Sequence, residues 1–189
     1  MAYMLDIVID TNIRVGNKKY MTANNSFGLT TLMKEHLSWN KGNAILKFRG
    51  KHGVIQNIEI SNKQIIQFLH TMESLPEKWL MKYKSHDGKW YRVSAQDLNS
   101  YFHGIVGEGY SIKDCRTWGA NKVFVESILK LPLSGGIEKN ISYALDACAL
   151  KLGNTKATSK KSYVMDYVMD EYRKNPKKFI DNSIFIDLI

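Results

Sequence analysis

Cysteine is almost missing from this sequence. Cys115 and Cys148 are the two among 189 residues. Neither lies in a C-x-x-C pair, and no histidines gather beside them. This pattern excludes a disulfide framework and argues against zinc; two isolated thiols fit a reducing compartment as small, buried apolar side chains. No run of about 18 apolar residues occurs, so no membrane-spanning helix is expected. The opening Met1-Ala-Tyr-Met-Leu-Asp6 has neither a basic stretch nor a small-residue cleavage site, so no secretory signal is expected. Internal repeats and low-complexity tracts are lacking as well. Acidic residues are in deficit: 18 Asp plus Glu stand against 27 Lys plus Arg, a formal charge of +9. A surplus of this size favours an anionic partner, with nucleic acid ahead of an anionic membrane.

What is present describes a folded chain. Hydrophobic residues make up 44% and charged residues 24%, which fits one globular domain of ordinary size with its own core. Tyr3, Met4, Ile7 and Val8 recur at helical spacing, and Gly16-Asn17 then breaks the pattern ahead of a short helix over 18–24. Gly28–Met33, Ala44–Phe48 and Val54–Ile60 are rich in strand formers and predict a small three-stranded antiparallel sheet. The glycine-bounded Arg49-Gly-Lys-His-Gly53 joins the last two as a β-hairpin, with Lys51 at its tip.

Most of the remainder reads as helix. Asn62 caps a helix over 63–72, Ser94 caps 95–103, and Ser111 precedes a long apolar-periodic stretch from 112 to 131 that Pro132 ends. Residues 137–151 form another helix, stopped by Gly153. A further helix beginning at Thr158 or Ser159 is expected to carry Tyr163, Tyr167 and Tyr172, and residues 179–189 are apolar enough for a last one. Polar residues around Ser85–Lys89 read as a loop. The fold class is α+β and mainly helical, with the small sheet and its hairpin beside a helical core.

The richest stretch for chemistry is Leu152-Gly-Asn-Thr-Lys-Ala-Thr-Ser-Lys-Lys-Ser-Tyr163. A tyrosine attacks a phosphodiester only when cations or donors sit on the non-bridging oxygens and an acid meets the leaving oxygen. Arg14 and Arg116 offer planar forks that suit phosphate oxygens. Lys113 lies one helical turn before Arg116. Lys51 is a mobile proton donor, and the Asn154 amide donates a hydrogen bond without bringing charge. Read singly, each has a plainer explanation: a surface arginine, a solvated helix face, a polar hairpin tip, a helix stop, one packed aromatic among ten tyrosines.

Read in order, the wording becomes specific. Ile13-Arg-Val-Gly-Asn17, Ser26-Phe-Gly-Leu-Thr-Thr-Leu32, Lys47-Phe-Arg-Gly-Lys51, Lys113-Asp-Cys-Arg-Thr-Trp-Gly119, Leu152-Gly-Asn-Thr155 and Lys160-Lys-Ser-Tyr163 together resemble the catalytic domain of type IB DNA topoisomerases, the poxvirus-like and bacterial branch. The resemblance runs from about residue 3 to about residue 172. It implies that Tyr163 forms a 3′-phosphotyrosyl link and that Arg14 and Arg116 bind the scissile phosphate. It further implies that Lys51 protonates the departing 5′ oxygen and that Lys113 assists. Asn154 falls where poxviral and cellular members carry histidine and bacterial-type members carry asparagine, so the resemblance leans towards the bacterial type.

The implied activity is relaxation of supercoiled DNA by transient cleavage of one strand, with no ATP, metal or other cofactor. The implied state is a cytoplasmic monomer on double-stranded DNA, away from membranes, with Lys47, Arg49, His52, Lys156, Lys160 and Lys161 facing phosphates. Family members also carry a separate N-terminal DNA clamp. Residues 1–189 are expected to be the catalytic domain alone, without that clamp, holding DNA on one face. Two readings compete: a tyrosine recombinase, which typically has histidine where Lys113 stands, and a DNA-binding remnant with poor turnover.

Overall fold

In the computed structural model, which describes residues 1–181, the chain divides into two units, Met1–Ile112 and Lys113–Ile189. In the first, helix α1 (Ala2–Thr11) buries Met4, Leu5, Ile7 and Val8 and ends at Asn12, whose left-handed backbone (φ 57°) returns its N–H to the Val8 carbonyl. Helix α2 (Lys18–Asn24) starts where the Asn17 side chain accepts from the Lys19 N–H at 2.8 Å. Three strands follow, β1 (Leu37–Asn40), β2 (Asn43–Arg49) and β3 (Ile55–Ile60), antiparallel in the order β1-β2-β3. Strand β2 alternates, with Ala44, Leu46 and Phe48 buried and Lys47 and Arg49 outward, the pattern of a sheet with one covered face. Helix α3 (Lys63–Ser74), a second antiparallel pair β4 (Lys82–Lys84) and β5 (Trp90–Arg92), and helix α4 (Ala95–Val106) complete the unit.

The second unit is helical: α5 (Ile112–Leu129), α6 (Ile137–Leu152), α7 (Lys156–Ser162), α8 (Asp166–Lys174) and α9 (Pro176–Asp181). Phe124, Ile128, Ile141, Leu145, Cys148, Val168 and Tyr172 are among the residues of its core.

The mainly helical α+β class and the three-stranded antiparallel sheet stand, but two local expectations need correction. Gly28–Met33 is not a strand of the sheet. Leu29–Thr31 makes a single 3-10 turn, held by the Thr31 hydroxyl, which accepts from the Gly28 N–H at 2.9 Å. The third strand is β1, turned into β2 by Lys41 (φ 48°) and Gly42 (φ 85°), the pair of positive φ angles that a two-residue hairpin needs. The expected loop at Ser85–Lys89 stands, and it forms the turn of the β4–β5 hairpin. Tyr163 is not inside a helix: α7 begins at Lys156 under a Thr155 cap and ends at Ser162, and α8 carries Tyr167 and Tyr172. The expected helix over 179–189 lies outside the described residues beyond α9.

Candidate active site

In the first unit, one short segment fixes two candidate residues. Leu29 donates to the Arg14 carbonyl at 2.8 Å, and both the N–H and the hydroxyl of Thr30 reach the Val15 carbonyl, at 2.8 and 2.9 Å. The chains approach so closely that a Cβ on Gly28 would stand 2.5 Å from the Arg14 carbonyl oxygen and 2.6 Å from the Gly16 nitrogen. The preceding Phe27 N–H donates to the Arg49 carbonyl at 2.8 Å. Residues 27–30 therefore tie the Arg14 loop to the base of the β2–β3 hairpin.

At the hairpin tip, Gly50 donates to Val54 at 2.8 Å and Gly53 to Gly50 at 3.1 Å, leaving Lys51 and His52 exposed. A cavity of about 470 Å³ opens there, lined by Arg14, Arg49, Lys51 and His52 together with Asn17, Tyr20, Asn24 and Ser26. Among the described residues no carboxylate lines it. Three cations, an imidazole and neutral donors suit an oxyanion. Lys47 lies outside this cavity, on the outward face of β2.

In the second unit, α5 carries Lys113, exposed, and one turn later Arg116, which is 4% exposed. The Arg116 guanidinium donates to the Leu152 carbonyl at 3.2 Å and stands 5.2 Å from the centroid of the Tyr163 ring. Leu152 is the last residue of α6. Gly153 turns the chain left-handed (φ 59°), and Asn154 donates its backbone N–H to Ala149 at 2.9 Å. The helix end that anchors Arg116 thus also places Asn154 two residues on. The Thr155 hydroxyl then accepts from Thr158 N–H at 3.1 Å and starts α7, at whose end Tyr163 sits with a non-helical backbone.

Asn121 holds that break in place. Its side-chain amide donates to the Tyr163 carbonyl at 3.0 Å and to the Thr117 carbonyl at 2.7 Å, and its oxygen accepts from the Met165 N–H at 3.0 Å. Sequence reasoning missed Asn121. The one available signal is an asparagine inside a helix, where its propensity is poor unless the side chain has other work.

Lys160 and Lys161 are exposed and, with Thr117, Ser162, Met165 and Asp166, line a cavity of about 560 Å³ that Tyr163 also borders. Lys156 is turned elsewhere, towards Asp146 at 2.7 Å and the Ser142 hydroxyl at 2.8 Å on α6. Burial pushes the Cys148 thiol up to about 12 and raises that of Cys115, so neither is poised as a thiolate. Among the described residues no group of three or more His, Cys, Asp or Glu side chains converges as a metal site, and no helix is long and apolar enough to cross a membrane.

The sequence also matches known proteins. Residues 1–183 match the sequence model of the eukaryotic DNA topoisomerase I catalytic core. The chain is 37% identical over 193 residues to DNA topoisomerase 1B of Acanthamoeba polyphaga mimivirus, covering 97% of this chain and 57% of that one. It is 30% identical over 179 residues to DNA topoisomerase 1B of Vaccinia virus (strain Copenhagen), covering 89% and 52%. DNA topoisomerase 1 of Rabbit fibroma virus (strain Kasza) is 26% identical over 181 residues, again covering 89% and 52%. The chain therefore spans just over half the length of the curated relatives it matches.

Proposed function

The chain belongs to the type IB DNA topoisomerase family, and on that premise we propose that it relaxes supercoiled double-stranded DNA by cutting and rejoining one strand through Tyr163. The observation that carries this reading is Arg116, buried and 5.2 Å from the ring centroid of Tyr163, a tyrosine set at a helix break and pinned there by Asn121. A nucleophile needs this combination of a fixed cation and a fixed position.

In the proposed reaction the Tyr163 phenolate oxygen bonds to phosphorus as the bond from phosphorus to the 5′ oxygen breaks, leaving a 3′-phosphotyrosyl ester and a free 5′ hydroxyl. Arg14 and Arg116 take the non-bridging oxygens. Asn154 donates a neutral hydrogen bond, weaker than a charge-assisted one. Lys51, helped by Lys113, gives the proton to the departing oxygen. Religation is the reverse, and it needs no ATP because the ester keeps the bond energy. Between the two steps the cut strand turns about its partner.

The chain acts in this reading as a monomer without metal, in a reducing, DNA-containing compartment such as the cytoplasm. Lys47, Arg49, His52, Lys160 and Lys161 contribute phosphate contacts, and Lys156 contributes only if it leaves Asp146. An exposed pair of that kind is worth about 0–1 kcal/mol, so DNA can displace it.

The test is a nicked duplex whose 5′ product strand is lost on cleavage. Wild type traps as a covalent adduct and relaxes plasmid without metal or ATP, whereas Tyr163→Phe does neither. No adduct from wild type at low salt refutes the reading. Joined products from two separate sites support a recombinase instead.

A further inference from the structure

The hairpin tip carries a second titratable side chain, His52, to which the proposed reaction gives a phosphate contact but no part in proton transfer. His52 takes φ 60° and ψ 19°, the left-handed region, directly ahead of Gly53 at φ 76°. Glycine occupies this region freely, whereas a residue with a Cβ is there at a cost of about 1–2 kcal/mol. Backbone strain retained at a site points to a use for the side chain. The turn sets consecutive residues Lys51 and His52 both on the wall of the cavity that Arg14 lines.

The charged and titratable groups facing His52 across that cavity are Arg14 from the loop after α1, Arg49 from the end of β2, Lys51 from the tip and the Tyr20 phenol from α2. Among the described residues none of the lining groups is a carboxylate. Within the cavity, an incoming phosphate is the anion that an imidazolium would meet.

Resting on the cleavage reading above, we infer that His52 is a second proton donor to the leaving 5′ oxygen, acting beside Lys51. As the Tyr163 oxygen bonds to phosphorus, the electron pair of the breaking bond goes to the 5′ oxygen, a ring N–H of the imidazolium gives that oxygen its proton, and neutral imidazole remains. The phenolic proton of Tyr163 leaves to water. In religation the neutral imidazole takes the proton back from the 5′ hydroxyl. The chemistry distinguishes the two donors: a free imidazole changes charge near neutral pH, whereas an ammonium stays protonated well above it. Lys51 and His52 thus give the proton two routes that differ in kind.

The experiment compares Lys51→Ala with Lys51→Ala/His52→Asn. Asparagine tolerates the left-handed backbone but has no acidic proton. Single-turnover cleavage of the nicked duplex at saturating DNA is measured from pH 5.5 to 8.5, with oxygen and with sulfur as the bridging 5′ atom. The readout is the ratio of the two rates, which cancels every pH effect the variants share. With oxygen, the ratio rises as pH falls, to about 100 at pH 6, the lower end of what a positioned acid contributes. With sulfur, which leaves without a proton, it does not rise as pH falls. A ratio independent of pH overturns the inference, and so does one that rises equally for both leaving groups as pH falls, since that marks His52 as a phosphate contact alone. Wild type run alongside separates the levels: if it forms no adduct, the cleavage reading itself falls and this inference with it.

Discussion

Replacing Asn121 with alanine separates the placement of Tyr163, the proposed nucleophile, from its chemistry. Two hydrogen bonds cross from Asn121 to the Tyr163 segment, one to the Tyr163 carbonyl and one from the Met165 N–H, both 3.0 Å. Each is worth about 1 kcal/mol net, and a polar group left unmet in a buried setting costs about 1–3 kcal/mol more. The bond from the Met165 N–H is only partly buried, so the total falls at the low end, about 2 kcal/mol of unfolding free energy. The kinetic effect is larger in proportion. A reacting group displaced by about 1 Å loses on the order of 100-fold in rate.

Asn121→Ala is therefore expected to fold, to bind nicked duplex as wild type does, and to form adduct about 100-fold more slowly at saturating DNA. Asn121→Asp goes further. It keeps an acceptor for Met165 but sets a carboxylate against the carbonyls of Tyr163 and Thr117, in a site where Asn121 is 2% exposed. At pH 7 it is less stable than Asn121→Ala. Urea unfolding and single-turnover cleavage, measured on the same preparations, check both numbers. Adduct formation at the wild-type rate, together with the expected loss of stability, would refute positioning and leave Asn121 a purely structural residue.

Two further outcomes follow from unit 1. Gly28→Ala forces its Cβ against backbone atoms of Arg14 and Gly16 that cannot swing aside; it should cost about 3 kcal/mol and slow cleavage. Gly104→Ala in α4, where nothing lies within 4 Å, should be neutral or stabilise by about 0.5–1 kcal/mol. Equal unfolding midpoints for the two would refute the close-approach argument. Burial, and then the neighbouring Lys34 charge, lower Lys82 from 10.5 to about 8. Below pH 8 both the folded and the unfolded chain hold this proton and the penalty is complete. It is relieved between pH 8 and 10.5, where the unfolded chain alone holds it, by up to about 3 kcal/mol. Wild type should therefore gain stability relative to Lys82→Met as pH rises from 7.5 to 10, and a constant offset in urea titrations would refute this.

Local signals were legible where a side chain acts on its own backbone. Asn62 and Ser94 cap α3 and α4 as their positions predict, and Gly153 stops α6. The sheet was legible in β2 and β3, whose alternation is strong, and misread at its edge. Leu29-Thr-Thr31 has strand composition, yet Thr31 spends its hydroxyl on Gly28 and turns the chain. The Lys41-Gly42 pair was the overlooked hairpin signal, and Asp87-Gly88 between Tyr83 and Tyr91 was another. The break at Tyr163 could not be read locally. Its carbonyl is satisfied 42 residues away by Asn121, and no periodicity around Tyr163 encodes that.

The second unit also sorts its cations in keeping with the roles proposed for them. On one face of α5 the sequence places a lysine and an arginine a turn apart, and composition treats them alike. Folding does not: Lys113 stays exposed, while Arg116 goes to 4% exposure against the Leu152 carbonyl. A guanidinium keeps its proton at any working pH and holds its donors in a rigid fork, so it serves as fixed positive charge but not as an acid. Burial removes its water during folding, and the attraction it offers a developing negative charge is then undiluted at the moment of reaction. An ammonium on a flexible stem has the opposite virtues: it can approach, release a proton and withdraw, provided it remains in solvent. The same division holds in the first unit, where Lys51 is exposed at a glycine-bounded tip and Arg14 is half-buried in a loop clamped by residues 28–30. Residue type and exposure thus agree for these four groups: Arg14 and Arg116, proposed to hold the phosphate, are drawn partly or wholly out of solvent, Lys51 and Lys113, proposed to move a proton, stay in it, and only the fold reveals the second of these signals.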